Sequence, residues 1–101
     1  MSNVTTHNQV ITINRAAVKS NVQRVAYRLL TANGQWVSSR QLARIPSATA
    51  RVRDLRKQSY GAFQVECASA ADLKRNVKGK VFYYRIVPSS VTPQNVSRVF
   101  E

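Results

Sequence analysis

The spacing of apolar residues changes at Gly61, and that change constrains the fold more than any other feature of the sequence. Before Gly61 apolar residues recur at helical intervals; after it they alternate. Val22, Val25, Ala26, Leu29 and Leu30 fall at i, i+3, i+4, i+7 and i+8, the stripe of an amphipathic helix. Ser20 or Asn21 is placed to cap it, and Asn33-Gly34 to stop it. Beyond Gly61, "AFQVECA" sets Phe63, Val65 and Cys67 against Gln64 and Glu66. "KVFYYRIV" sets Phe82, Tyr84 and Ile86 against Tyr83 and Arg85. The pair predicts two antiparallel strands after a helical half, an α+β domain.

Between these segments, "QWVS" reads as a short extended piece, with Trp36 and Val37 as its core residues. Ser38 or Ser39 then caps a short second helix through Leu42, Ala43 and Ile45. Pro46 ends it, because the residue before a proline is pushed out of the helical region. Ser47 opens a third helix, Ala48 to about Gln58, which Gly61 closes. At helical spacing Ala48, Val52 and Leu55 share its buried face. Thr49, Ala50, Arg53, Arg56 and Lys57 spread over the opposite one, with Arg51 and Gln58 on a flank. Residues 20–87 make one domain, flanked by an arm over 1–19 and a tail over 88–101. The arm has a polar, mobile start through Gln9 and a short edge strand in "VITIN"; the tail carries Pro88 and Pro93 as breakers and a helical turn from Pro93.

Sixteen lysines and arginines against four acids give a net charge of +12 over 101 residues. Self-repulsion of that size points to a polyanionic partner, nucleic acid first, ahead of a charge that merely keeps the protein soluble, with an anionic membrane surface a weaker third. The single cysteine, Cys67, excludes an internal disulfide; sharing a strand face with Phe63 and Val65, it is expected to be buried and unreactive. There is no Cys/His set for zinc and no glycine-rich phosphate loop. Asp54, Glu66, Asp72 and Glu101 are dispersed, and one histidine, His7, with one cysteine makes no catalytic set. No enzyme, cofactor, metal or small-molecule ligand is expected. The start "MSNVTTHNQV" lacks the pattern of a signal peptide and no 18 consecutive residues are apolar, so no membrane association and a cytoplasmic location are expected, nucleoid-associated in a bacterial or phage setting.

Helix, short strand, helix, tight turn, basic helix and a β-hairpin with a basic loop is an order that resembles the winged helix-turn-helix family from Ser20 to Val87. Within the resemblance, "SSRQLARIPSATARVRDLRKQ" looks like the helix-turn-helix, Ser47 to Gln58 like the recognition helix, and Ala68 to Lys80 like the wing. The linker, Pro46 and Ser47, is tighter than in many members and lacks the glycine often found there. The resemblance implies three helices packed on a small antiparallel sheet with a hairpin wing. It also implies a sequence-specific binder of double-stranded DNA, a transcriptional regulator or a replication or recombination accessory factor.

For such a domain Ser47, Thr49, Ala50 and Arg53 form the base-reading half of a helix in the major groove. Thr49 or Ala50 would touch a thymine methyl and Arg53 would bond a guanine through two hydrogen bonds. Arg56 and Lys57 would meet phosphates, as would Ser47 with the first free N–H groups of the helix. Lys74, Arg75, Lys78 and Lys80 of the wing suit an adjacent minor groove or backbone, and Arg40 and Arg44 the flanking strand. Eleven of the sixteen basic residues lie between Arg40 and Arg85. Trp36 is expected in the core, whereas Tyr83 and Arg85 either stack on nucleic acid or are ordinary exposed strand residues. A domain this small gains specificity by pairing, so a homodimer or cooperative array on DNA is expected, joined through 1–19 or 88–101. Two alternatives remain open: an architectural DNA- or RNA-binding protein that holds backbone without reading bases, and an inhibitor or docking module that meets an acidic protein surface.

Overall fold

Ser20 starts the first helix through a reciprocal pair of hydrogen bonds. Its hydroxyl accepts from the N–H of Gln23 at 3.2 Å, and the Gln23 side-chain carbonyl accepts from the N–H of Ser20 at 2.9 Å. Helix α1, Asn21–Thr31, follows, and all five residues of its apolar stripe are buried. The structure, a computed structural model, describes residues 2–5 and 10–100. Two short strands precede α1: β1, Ser2–Thr5, pairs antiparallel with β2, Val10–Ile13, bringing Ser2 opposite Ile13. The expected strand in "VITIN" is thus one half of a hairpin, and His7 lies outside the described residues.

Asn33 and Gly34 end α1 with positive φ angles of 52° and 85°. At Gly34 a Cβ would come within 2.8 Å of Pro88 Cγ, so the close approach of Pro88 as well as the turn requires glycine. Strand β3, Val37–Ser38, is short, and the second helix expected after it does not form. Residues 39–45 instead make successive i→i+3 bonds, from Gln41 N–H to Ser38 carbonyl through Ile45 N–H to Leu42 carbonyl. The reason is local competition. Ser38 and Gln41 bond each other's backbone N–H groups through their side chains, and Pro46 blocks extension, so the segment closes into tight turns. Leu42 is buried all the same.

Helix α2, Ala48–Asp54, starts after Ser47, which adopts a left-handed conformation with φ 55°. It stops short of the expected Gln58 because the Leu55 carbonyl accepts from the N–H of Phe63 at 2.8 Å, folding the chain back. Gly61, at φ 106°, completes the reversal; a Cβ there would meet Phe63 and the Asn95 carbonyl at under 3 Å. Strands β4, Val65–Ser69, and β5, Phe82–Ile86, pair antiparallel as expected, with Val65 opposite Ile86 and Cys67 opposite Tyr84. Strand β3 adds to the far side of β5, giving a three-stranded antiparallel sheet of order β3-β5-β4. Helix α3, Pro93–Phe100, closes the chain and is twice the single turn expected there. Among the described residues the fold is a small α+β domain of three α-helices, this sheet and the β1–β2 pair, its third helix being α3 rather than the 38–45 segment.

One core joins α1, α2, the three-stranded sheet and α3. Val25, Ala26 and Leu29 of α1, Val52 of α2 and the adjacent Leu55, Val37, Val65 and Ile86 of the sheet, and Val96 and Val99 of α3 belong to it. Ile13 and Val91, from the segments read as arm and tail, also contribute. The hairpin departs from its expected alternation near the tip. Tyr83 is only 5% exposed whereas Phe82 is 44% exposed, and Cys67 is exposed too. Val81 and Tyr83 are buried outside the main core on the outer sheet face, where Arg75 from the connecting loop lies over the Tyr83 ring. The loop has folded onto the face expected to be solvated, and the inner face is bare where the hairpin passes the helical layer.

Leu55→Ala should cost about 2–5 kcal/mol of unfolding free energy in a urea titration, since the fully buried side chain leaves a cavity. Phe82→Ala, on the bare part of the sheet, should change it by less than about 0.5 kcal/mol. Equal losses would show that the hairpin tip is covered.

Candidate nucleic-acid interface

The outward face of α2 carries Thr49 and Arg53, both exposed, with Ala50 half-buried beside them. Its other charges are engaged. The Asp54 carboxylate receives Arg51 Nε at 3.0 Å on one oxygen and Lys57 Nζ at 3.1 Å on the other. Arg56 donates from Nε and Nη2 to the Val65 carbonyl at 3.3 and 2.9 Å, pinning the end of α2 to β4. Among the described residues of α2, Arg53 is the cation left without a carboxylate or carbonyl partner. Ser47 is exposed, but its side chain does not cap α2, a helix of seven residues.

The connection between β4 and β5, residues 70–81, is held at several points rather than waving free. Ser69 N–H donates to the Asp72 carboxylate at 3.0 Å and Asp72 N–H to the Ser69 hydroxyl at 3.1 Å, closing a turn. The Ser69 N–H foremost, and then the Ser69 hydroxyl, favour the ionised carboxylate and hold Asp72 below its ordinary value of 3.8, with a small opposing effect of desolvation. Arg75 sits 4.7 Å from the centroid of the Tyr83 ring. Arg40 Nη2 donates to the Lys78 carbonyl, tying the far side of the loop to the 39–45 segment. Lys74, Lys78 and Lys80 are exposed.

Tyr83 and Arg85 have structural roles. Tyr83 is buried under Arg75, and Arg85 bonds Glu66 at 2.6 Å while its guanidinium lies 4.9 Å from the Trp36 ring centroid. Trp36 itself is half-buried with that cation over its face.

Arg40 and Arg44 do not join the face of α2. They line a groove of about 730 Å³ beside α1 together with Arg15, Arg24, Arg28 and Tyr27. The last four were not singled out in the sequence, although Arg24 and Arg28 are one helical turn apart with Tyr27 between them, opposite the apolar stripe. Arg15 comes from the single 3₁₀ turn Arg15–Ala17 before α1 and carries no periodic signal.

No group of three metal-ligating His, Cys, Asp or Glu side chains forms among the described residues, and none of their helices is long and apolar enough to cross a membrane. No family model, curated protein or solved structure matches the chain.

The Asp72 carboxylate, lowered by its bonds to Ser69, stabilises the turn above its ordinary titration range and should lose that contribution as pH falls through its lowered value. In an NMR titration the Ser69 amide should shift with a midpoint below 3.8, and Asp72→Asn should abolish the transition. A midpoint above that value would show that the carboxylate is not held by the turn.

Proposed function

We propose that the protein is a small double-stranded DNA-binding protein of winged helix-turn-helix type, a transcriptional regulator or a replication or recombination accessory factor. Helix α2 enters the major groove and the 70–81 loop meets the adjacent backbone or minor groove. The observation that carries the reading is Arg53, exposed beside Thr49 and free of any intramolecular counter-charge on a face whose other cations are tied down. Its planar fork of donors is free to pair with the two acceptors of a guanine edge, the commonest base-specific contact in the major groove. The sheet order is compatible with the assignment, since β5 lies between β3 and β4, and Arg56 ties the chain just after α2 to the start of β4. Lys74, Lys78 and Lys80 supply contacts to phosphate, with Lys57 giving a partly neutralised one. Arg56 is omitted from the contact set because Val65 holds it. Specificity in the cell comes from pairing on repeated half-sites, as a homodimer or a cooperative array.

Selection of bound fragments from a random duplex pool at physiological salt should enrich one motif. Arg53→Ala should then relax preference at one base position at a cost of about 1–3 kcal/mol, and Lys78→Ala should weaken all sequences alike and lower the salt slope by about 0.9. Retention of duplex without any motif would replace this reading with backbone binding, and failure to retain duplex would overturn both.

A further inference from the structure

The groove beside α1 concentrates five guanidinium groups, and no acidic side chain lines it. Elsewhere in the domain the acids already have partners. Asp54 holds Arg51 and Lys57, Glu66 holds Arg85, and Asp72 closes the turn at Ser69. The charge in the groove therefore has no compensation among the described residues, and five like charges facing one cavity repel one another unless an anion enters. Arg24 bonds Asn21 and Arg40 bonds the Lys78 carbonyl, both contacts that orient a guanidinium without neutralising it.

Shape narrows the anion. A duplex is a stiff, broad cylinder, whereas this groove of about 730 Å³ admits only a narrow, flexible strand. Its wall also has an aromatic component. Tyr27, half-buried and packed with Ile45 against the core, sits in the same groove as the arginines. A basic track with an aromatic ring in it is the recognition chemistry of single strands, whose phosphates pair with cations while an unpaired base lies against the ring. A carboxylate peptide would satisfy the charge but make no use of the ring.

We infer that this groove binds a single-stranded nucleic-acid segment, its phosphates on Arg15, Arg24, Arg28, Arg40 and Arg44 and a base against Tyr27. The site is separate from the face of α2, and the inference does not rest on duplex recognition by Arg53.

The test compares three probes by fluorescence anisotropy at several salt concentrations: labelled oligo-dT of about twelve nucleotides, a duplex of the same length and a poly-glutamate peptide. The variant Arg24→Gln/Arg28→Gln removes two groove charges from exposed positions of α1, and Lys19→Gln/Arg98→Gln removes two exposed charges from outside the groove lining and the proposed duplex contacts as a charge-matched control. A thermal melt establishes that each variant is folded. The groove variant should bind oligo-dT about tenfold more weakly, with a salt slope lower by about 1.4, while the control stays within about twofold of the unaltered protein. Tyr27→Leu should also weaken oligo-dT, without changing the salt slope. Equal losses in the groove variant and its control, an equal loss on duplex and single strand, or poly-glutamate bound as tightly as oligo-dT would each overturn the inference. Duplex selection that yields no motif bears on Arg53 alone and leaves these outcomes readable.

Discussion

Burial of one stripe on α1 organises the whole domain. Val25, Ala26, Leu29 and Leu30 are almost fully out of water, and α2, the three-stranded sheet and α3 each contribute a surface to cover them or their neighbours. Helix α2 is oriented by Val52 and Leu55, the sheet by Ile86 and Val65, and α3 by Val96 and Val99. Each apolar side chain removed from water on that scale contributes about 1.5–3 kcal/mol, before the entropy of ordering the chain is counted against it. Because the stripe must face inward, Arg24 and Arg28 face outward, with Tyr27 half-buried between them. The arrangement of the core thereby sets the arrangement of the basic groove.

The polar interactions refine this plan. Three acids within the described residues distribute themselves so that each fixes a particular junction. Asp54 steadies the end of α2, Glu66 aligns Arg85 over Trp36, and Asp72 shapes the start of the hairpin loop. The exposed Arg85–Glu66 pair contributes little to stability, about 0–1 kcal/mol, and a main effect of the acids is on which cations remain unpaired. Arg53 and the groove arginines stand outside these pairs, and the separation between cations used for architecture and cations left facing solvent follows from where so few acids fall.

Sequence periodicity was informative in proportion to its length. The α1 stripe extends over nine residues with a capping serine, and all of it is where the spacing places it. The 39–45 segment is too short for its apolar residues to outweigh the Ser38–Gln41 side-chain bonds, so helical spacing there marks a set of turns. Alternation in "VFYYRIV" located β5 but not the faces of Phe82 and Tyr83, because the loop that covers one face is distant from either residue's local pattern. At the C-terminal end the helical turn expected from Pro93 starts there and runs on to Phe100. Pro93 sits in the first turn of α3, where its missing N–H costs nothing, and Thr92 and Asn95 bond each other's N–H groups across that turn. "TPQN" is legible as a helix start once proline is read by position. The groove was hidden for another reason: its arginines come from three separate segments, and only the packing of the 39–45 turns against α1 joins them.

The bond from Gln23 to the Val99 carbonyl spans 76 residues, and Val91, Val96 and Val99 close the core that α1 opens. On a translating ribosome α1 leaves the exit tunnel long before these valines exist. Until residue 99 emerges, the nascent chain carries an apolar helix short of three of its covering side chains, and the completed core is available only to a chain made almost to Phe100.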